Sequence, residues 1–238
     1  MAFGDLRGTL TGNANSITNP SDLTGSVAVA TGDLIFVAFC QQTNLTATGC
    51  TDNLSNTYSA TNAGNDTGTQ TGRAFWARAS APGTLTTVHV AASASTNDYA
   101  GFVAVIAGPV SLSPLDTNPA NGTADLTSPF TCPSTGTLAQ PQEIVIAWMT
   151  APSSATFSAS SPNLLAGQAN NSSNAKAVVG YQAVNSTSAV APEFTGTNPG
   201  EITLGTNSFK LDISALQWRG IDSSPEVLTR PRAEMVAY

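Results

Sequence analysis

Charge is scarce in this chain: Asp, Glu, Lys and Arg together make up 10% of its 238 residues, where an ordinary soluble domain carries about 25%. Charge-laced helical bundles and coiled coils need far more, so both are excluded. Cations are scarcest, with eight Lys and Arg against fifteen Asp and Glu and a formal charge of −7. Such a chain repels phosphate backbones and anionic membrane surfaces, which argues against a nucleic-acid or membrane partner. No apolar run approaches the roughly 18 residues that a membrane-spanning helix requires. The opening Met1 to Arg7 shows no basic n-region and apolar h-region, so the chain is expected to be made and kept in a cytosol.

Chemistry-bearing residues are equally sparse. His89 is the one histidine, and strand alternation in Thr86-Thr87-Val88-His89-Val90 puts it on the face opposite Val88 and Val90, a surface position. No serine sits in a Gly-x-Ser-x-Gly elbow and no phosphate-cradling glycine loop is present. Cys40, Cys50 and Cys132 are too few and too dispersed, with a single histidine, for a zinc site. Cys40 to Cys50 is the one local disulfide pairing; buried reduced thiols are the alternative. Asp52, Asp66, Asp98, Asp116 and Glu143 lie near predicted strand ends, but spacing selects no glycosidase pair among them. Asp33 and Glu143 fit better as turn caps ahead of buried strands. Asp52-Asn53 and Asn65-Asp66 offer oxygen ligands without the spacing of a calcium loop. No catalytic, cofactor-binding or metal-binding residue is therefore assigned.

What the chain has in quantity is short apolar runs bounded by Gly, Asn, Pro and Ser. The runs Leu34 to Phe39, Phe102 to Ala107 and Ile144 to Met149 have the length and β-branched content of buried strands. Half-exposed strands are predicted at Thr57 to Thr61, Arg73 to Ala79, Leu85 to Ala91, Ala175 to Val184 and Ser208 to Trp218. No helical period persists for three turns. The fold class is all-β, an antiparallel two-sheet β-sandwich of jelly-roll or immunoglobulin-like type. Similar strings at Gly32-Asp33-Leu34 and Gln142-Glu143-Ile144, and at Tyr99 to Phe102 and Phe209 to Asp212, point to two similar halves. These cover about residues 26–108 and 142–218, joined by a crossover that carries six of the fourteen prolines. Residues 1–25 and 219–238, poor in apolar residues, read as extended terminal arms around a 26–218 sandwich domain.

Candidate partner-binding residues are Trp76 and Arg78, in an aromatic strand flanked by arginines, and Arg219, Arg230, Arg232 and Tyr238 in the C-terminal arm. Phe75 and Trp76 point to opposite faces, so one of the two is expected at an interface. Trp76, Trp148, Trp218, Tyr58, Tyr99 and Tyr181 are the aromatics available to a sugar platform, although Trp148 reads as core.

Several strings together resemble a known group: Thr24 to Phe39, Thr51-Asp52-Asn53-Leu54-Ser55-Asn56-Thr57-Tyr58, Ala74 to Ala77 with Gly83 to Val88, Asp98 to Val105, and Gln142 to Trp148. They are similar to β-sandwich structural proteins of tailed-bacteriophage virions, of decoration or fibre type, over most of residues 24–218. The resemblance implies a non-enzymatic structural role in a virion, with no catalytic residues to carry over. The expected function is a capsid decoration or cement protein on the outer head surface, assembled in the host cytoplasm and displayed on the virion surface. Its partners would be the major capsid protein or other virion proteins, and copies of itself in a homo-oligomer. The alternative is a tail or head-fibre adhesin module that binds host-surface carbohydrate.

Overall fold

The computed structural model describes residues 2–14, 19–42, 46–61, 70–94, 98–123, 128–151, 156–171, 175–197 and 202–214. Its strands are β1 (Leu6–Ala14), β2 (Ser21–Val29), β3 (Leu34–Gln42), β4 (Ala47–Asp52), β5 (Ser59–Ala60), β6 (Gln70–Arg78), β7 (Gly83–Ala92), β8 (Tyr99–Ile106) and β9 (Val110–Thr117). There follow β10 (Gly122–Thr123), β11 (Phe130–Thr131), β12 (Gln142–Ala151), β13 (Phe157–Ala159), β14 (Leu164–Asn170), β15 (Lys176–Asn185), β16 (Glu193–Gly196) and β17 (Thr203–Leu211). The fold is all-β with antiparallel pairing.

Among the described residues the strands form three sheets. An eight-stranded sheet has the order β4-β7-β2-β1-β8-β3-β6-β5, a second has the order β10-β17-β12-β15-β14 with β9 also on β17, and a small third has β11-β16-β13. The first sheet curls until it is nearly closed: across the gap, Arg73 on β6 donates from Nη1 to the Ala47 carbonyl oxygen on β4 at 2.9 Å. Leu10, Leu23, Val37, Phe39, Phe75, Val88 and Val103 fill its interior.

Its outer face packs on the second sheet. Leu34, Phe36, Ala38 and Cys40 of β3 and Phe102 of β8 meet Ile144, Ile146 and Trp148 of β12 and Phe209 of β17. Phe209 stands edge-on to both Phe36 and Trp76, with ring centroids 6.1 and 5.5 Å away. The far face of β12, with Ala147, Met149 and Ala151, is covered by Phe130, Phe157 and Phe194 of the third sheet. So β3 and β12 each lie between two cores, which is why their sequences are unbroken apolar runs and not alternating ones. Fully burying each large side chain there stabilises the fold by about 1.5–3 kcal/mol.

The two larger sheets share a central arrangement. β8-β3-β6 in the first matches β17-β12-β15 in the second, in the same order and with the same antiparallel sense. Leu34 stands opposite Ile106 where Ile144 stands opposite Phe209, so the sequence echo at Asp33 and Glu143 marks equivalent strand starts. The pairing expected for the closing strands is shifted, because Ile106 and not Tyr99 occupies the place of Phe209. The proline-rich 108–142 stretch supplies β9 on the edge of β17, and β11 in the third sheet.

The N-terminal arm expected over residues 1–25 is corrected. β1 lies between β2 and β8, paired from Leu6 to Ala14 along β8, with Leu10 inside the curled sheet. It looked like an arm because, apart from Leu6 and Leu10, its positions hold small or polar residues that need only ladder hydrogen bonds and thin cover. The 219–238 arm, with Arg219, Arg230, Arg232 and Tyr238, lies outside the described residues.

Candidate functional site

The most distinctive string, Asp52 to Tyr58, folds into a turn organised around one carboxylate. Asp52 is 8% exposed. Its Oδ1 accepts the backbone amides of Leu54 (2.9 Å) and Asn56 (3.0 Å), and its Oδ2 accepts Asn56 Nδ2 and the Tyr58 hydroxyl, both at 2.9 Å. Asn56 Oδ1 in turn accepts the amide and hydroxyl of Ser80, and Asn53 clamps β7 by donating to the Thr84 carbonyl and accepting the Thr86 and Thr87 amides. Ser55 takes a left-handed φ of 59° to let the chain double back. Burial first, then the Asp52 charge, pushes the Tyr58 hydroxyl well above its ordinary pKa, so it stays a donor. The polar side chains of Asp52, Asn53, Asn56 and Tyr58 are thus engaged with one another or with the neighbouring chain at Ser80 and β7, which fits a structural latch.

The other carboxylates are engaged in a similar way. Asp33, buried, accepts the Ala30 amide at 2.7 Å and the Gly108 amide at 2.9 Å and pairs with Arg7 Nε. Glu143, buried at the equivalent point of the second sheet, accepts the Gln140 amide at 3.2 Å. Burial, and to a lesser degree the neighbouring Asp116, raises its pKa, while Ser208 works against the shift. Asp116 accepts the Ala139 amide and lies 3.8 Å from Lys210 Nζ. Both turn caps expected at Asp33 and Glu143 are therefore present. Asp98 is largely buried, and Asp66 lies outside the described residues. His89 Nδ1 is 2.7 Å from Asp22 Oδ1 on the outer face of the β2–β7 ladder, the surface position that alternation predicted.

The cysteines occupy separate environments and are unpaired. Cys40 faces the seam between the first two sheets, where its thiol reaches Gln70 Oε1 and burial pushes its pKa up to about 12. Burial likewise raises Cys50 and Cys132, so none is a reactive thiolate at neutral pH. Among the described residues no group of three or more His, Cys, Asp and Glu converges as a metal site.

Of the predicted partner-binding residues, Trp76 and Arg78 are half-buried. Trp76 rests on Phe209 in the seam between sheets while Phe75 enters the curled interior, so both aromatics are inward-facing. The strand meets a core on each side, and alternation alone had counted just one inside. Arg78 Nε donates to the Val110 carbonyl at 2.9 Å.

One region went unnoticed in the sequence. Where β14 and β15 begin and end, a hollow of about 460 Å³ is lined by Pro162, Asn163, Gln182, Asn185, Val190 and Glu193, among others. A neighbouring hollow of about 490 Å³ lies against Phe3, Leu164 and Tyr181. The two share Pro162, Gln182 and Ala183 and so wrap around the sheet's end. The run Ser160-Ser161-Pro162-Asn163 signals a turn, but nothing in it signals a hollow.

Comparison of this chain with protein-family models, with curated proteins and with solved structures finds no match in any of the three.

Proposed function

We propose that this chain is a non-enzymatic structural protein of a bacteriophage virion, a capsid decoration or cement protein on the outer head surface. We also read its paired β8-β3-β6 and β17-β12-β15 triplets as halves of a sandwich-type architecture. The observation that carries the functional reading is the fate of the cations. Among the described residues, Arg7 pairs with Asp33, Arg73 bonds to Ala47 and lies over the Phe75 ring, and Arg78 bonds to Val110. Lys176 is buried over the Phe157 ring, and Lys210 approaches Asp116. Four of the five are half-buried and Lys176 is buried. The described surface is poor in cations, which supports a coat role: it offers few well-exposed Lys or Arg to proteases that cut there and little attraction to nucleic acid.

Mass spectrometry and cryo-electron microscopy of purified particles test the reading. Many copies on the head are expected. Truncation after Trp218 is expected to leave the melting temperature nearly unchanged and abolish incorporation, with residues 219–238 as the docking arm. Absence of the chain from particles refutes the assignment.

A further inference from the structure

Asn163 is 3% exposed, and among the described residues neither its side-chain oxygen nor its side-chain nitrogen has a hydrogen-bond partner. Its backbone amide is satisfied, donating to the Ser160 carbonyl at 2.9 Å, so the turn itself does not need the side chain. An amide buried without partners is destabilising, and an aliphatic residue would fill the same space without that penalty. The side-chain amide lies over Gly180, where an added Cβ would come within 2.6 Å of Asn163 Nδ2, closed to solvent at the edge of the 460 Å³ hollow that Asn163 helps to line. The site therefore keeps an NH2 donor group and a carbonyl acceptor in reserve beside a cavity of ligand-binding size.

The rest of the lining narrows the ligand. Gln182 and Asn185 add amides and Ser160 a hydroxyl. Pro162 and Val190 supply apolar surface, Glu193 is the one titratable side chain in the lining, and no Lys or Arg is there. A ligand that offers adjacent donors and acceptors, carries no negative charge and has an apolar face of C–H groups matches this set. We propose that the hollow binds a neutral saccharide unit, with a vicinal pair of hydroxyls giving to Asn163 Oδ1 and taking from Asn163 Nδ2. The Asn χ2 torsion is broad, so the amide plane turns toward an occupant without leaving its rotamer well. This goes beyond the virion assignment and does not depend on it.

The test is a titration of the 15N-labelled full chain with glucose, galactose, mannose and N-acetylglucosamine, and with glucuronic acid as the anionic control. Binding of at least one neutral sugar is expected, seen as saturable shifts of the Asn163 side-chain NH2 signals and of Gln182 and Asn185, with glucuronic acid weaker. Asn163→Leu is expected to reduce affinity at least tenfold while the melting temperature stays level or rises. Should that variant fold poorly, the exposed rim substitution Asn185→Ala is expected to weaken binding with the fold intact. No shift with any neutral sugar up to about 20 mM, well past the ~1 mM scale of weak single-site binding, overturns the proposal. So does sugar binding that Asn163→Leu and Asn185→Ala both leave unchanged. Failure of either kind leaves the particle location of the chain a separate result.

Discussion

Replacing Asp52 with alanine tests whether the Asp-Asn-Leu-Ser-Asn-Thr-Tyr segment is a latch or a site. The carboxylate accepts four hydrogen bonds at 2.9 to 3.0 Å, two from turn amides and two from the side chains of Asn56 and Tyr58. A hydrogen bond to a charged partner contributes about 1.5–3 kcal/mol net, but four bonds to one group are not additive. The Leu54 amide regains water once the side chain is gone, since its segment is on the surface. The Tyr58 hydroxyl and the buried Asn56 side chain do not, and Asn56 also holds Ser80 in place. A loss of about 3–4 kcal/mol follows, a large part of the roughly 5–15 kcal/mol by which native proteins are stable.

Urea denaturation followed by tryptophan fluorescence reads this as a lower midpoint at unchanged slope. Asp52→Asn keeps one carbonyl acceptor and is expected to lose about 1–2 kcal/mol, and Tyr58→Phe about 1 kcal/mol. The double variant Asp52→Ala/Tyr58→Phe should cost at least about 0.5 kcal/mol less than the two single losses added, because they share a bond. If Asp52→Ala changes stability by less than about 0.5 kcal/mol, the size of an ordinary surface substitution, the latch reasoning is wrong.

Glu143 carries a pH signature. Its pKa is raised from 4.5 in the fold, so the folded chain holds that proton more tightly than the unfolded one, and stability falls as pH rises from 4.5 through the raised value. Glu143→Gln should flatten that decline in melting temperature measured against pH, and an unchanged slope would place the titrating group elsewhere. Gly205→Ala should cost about 2–3 kcal/mol and disturb the near-ultraviolet circular dichroism, because its Cβ would sit 2.3 Å from the Trp148 indole; a neutral effect would mean that the two strands repack freely. Contacts between the acidic bodies of neighbouring copies should tighten as salt rises, since screening removes like-charge repulsion beyond about 10 Å at 0.1 M. Sedimentation of the full chain across a salt series checks this, and dissociation on adding salt would contradict it.

The strands that the sequence revealed are those that residue chemistry alone determines. β3, β8 and β12 are apolar on both sides because both sides are core, and β6, β7 and β15 keep enough alternation to be seen. β2 escaped because its inward series is thin: Leu23, Val27 and Val29 point into the core, but Ser21 and Gly25 on the same series bring no apolar side chain. The strand expected from Ser208 to Trp218, of which residues 215–218 lie outside the described residues, starts earlier, as β17, because its first half carries Thr203, Thr206 and Asn207, which with Ser208 are all buried. Asn207 there accepts the Trp148 indole N–H and donates to Asn118, and Ser208 meets Thr117 across the β9 pairing. Polar residues satisfied by partners distant in sequence cannot be told from surface residues in one dimension. The same limit hid the hollow at Asn163, whose side-chain amide has no partner among the described residues.

The low charge content and the fold account for one another. A sheet stack in which central strands have a core on each side leaves few positions where a long charged side chain reaches water, and each described Lys or Arg lies partly or wholly inside. Arg7, Arg73 and Arg78 are used as internal ties: the first fixes the turn cap at Asp33, the second spans the gap of the curled sheet, and the third joins β6 to β9 at the passage from the first sheet to the second. Guanidinium suits this work because it stays charged and donates in several fixed directions at once. The five cations among the described residues thus hold sheets together, which leaves the fifteen Asp and Glu, against eight Lys and Arg in all, to set the sign of the charge.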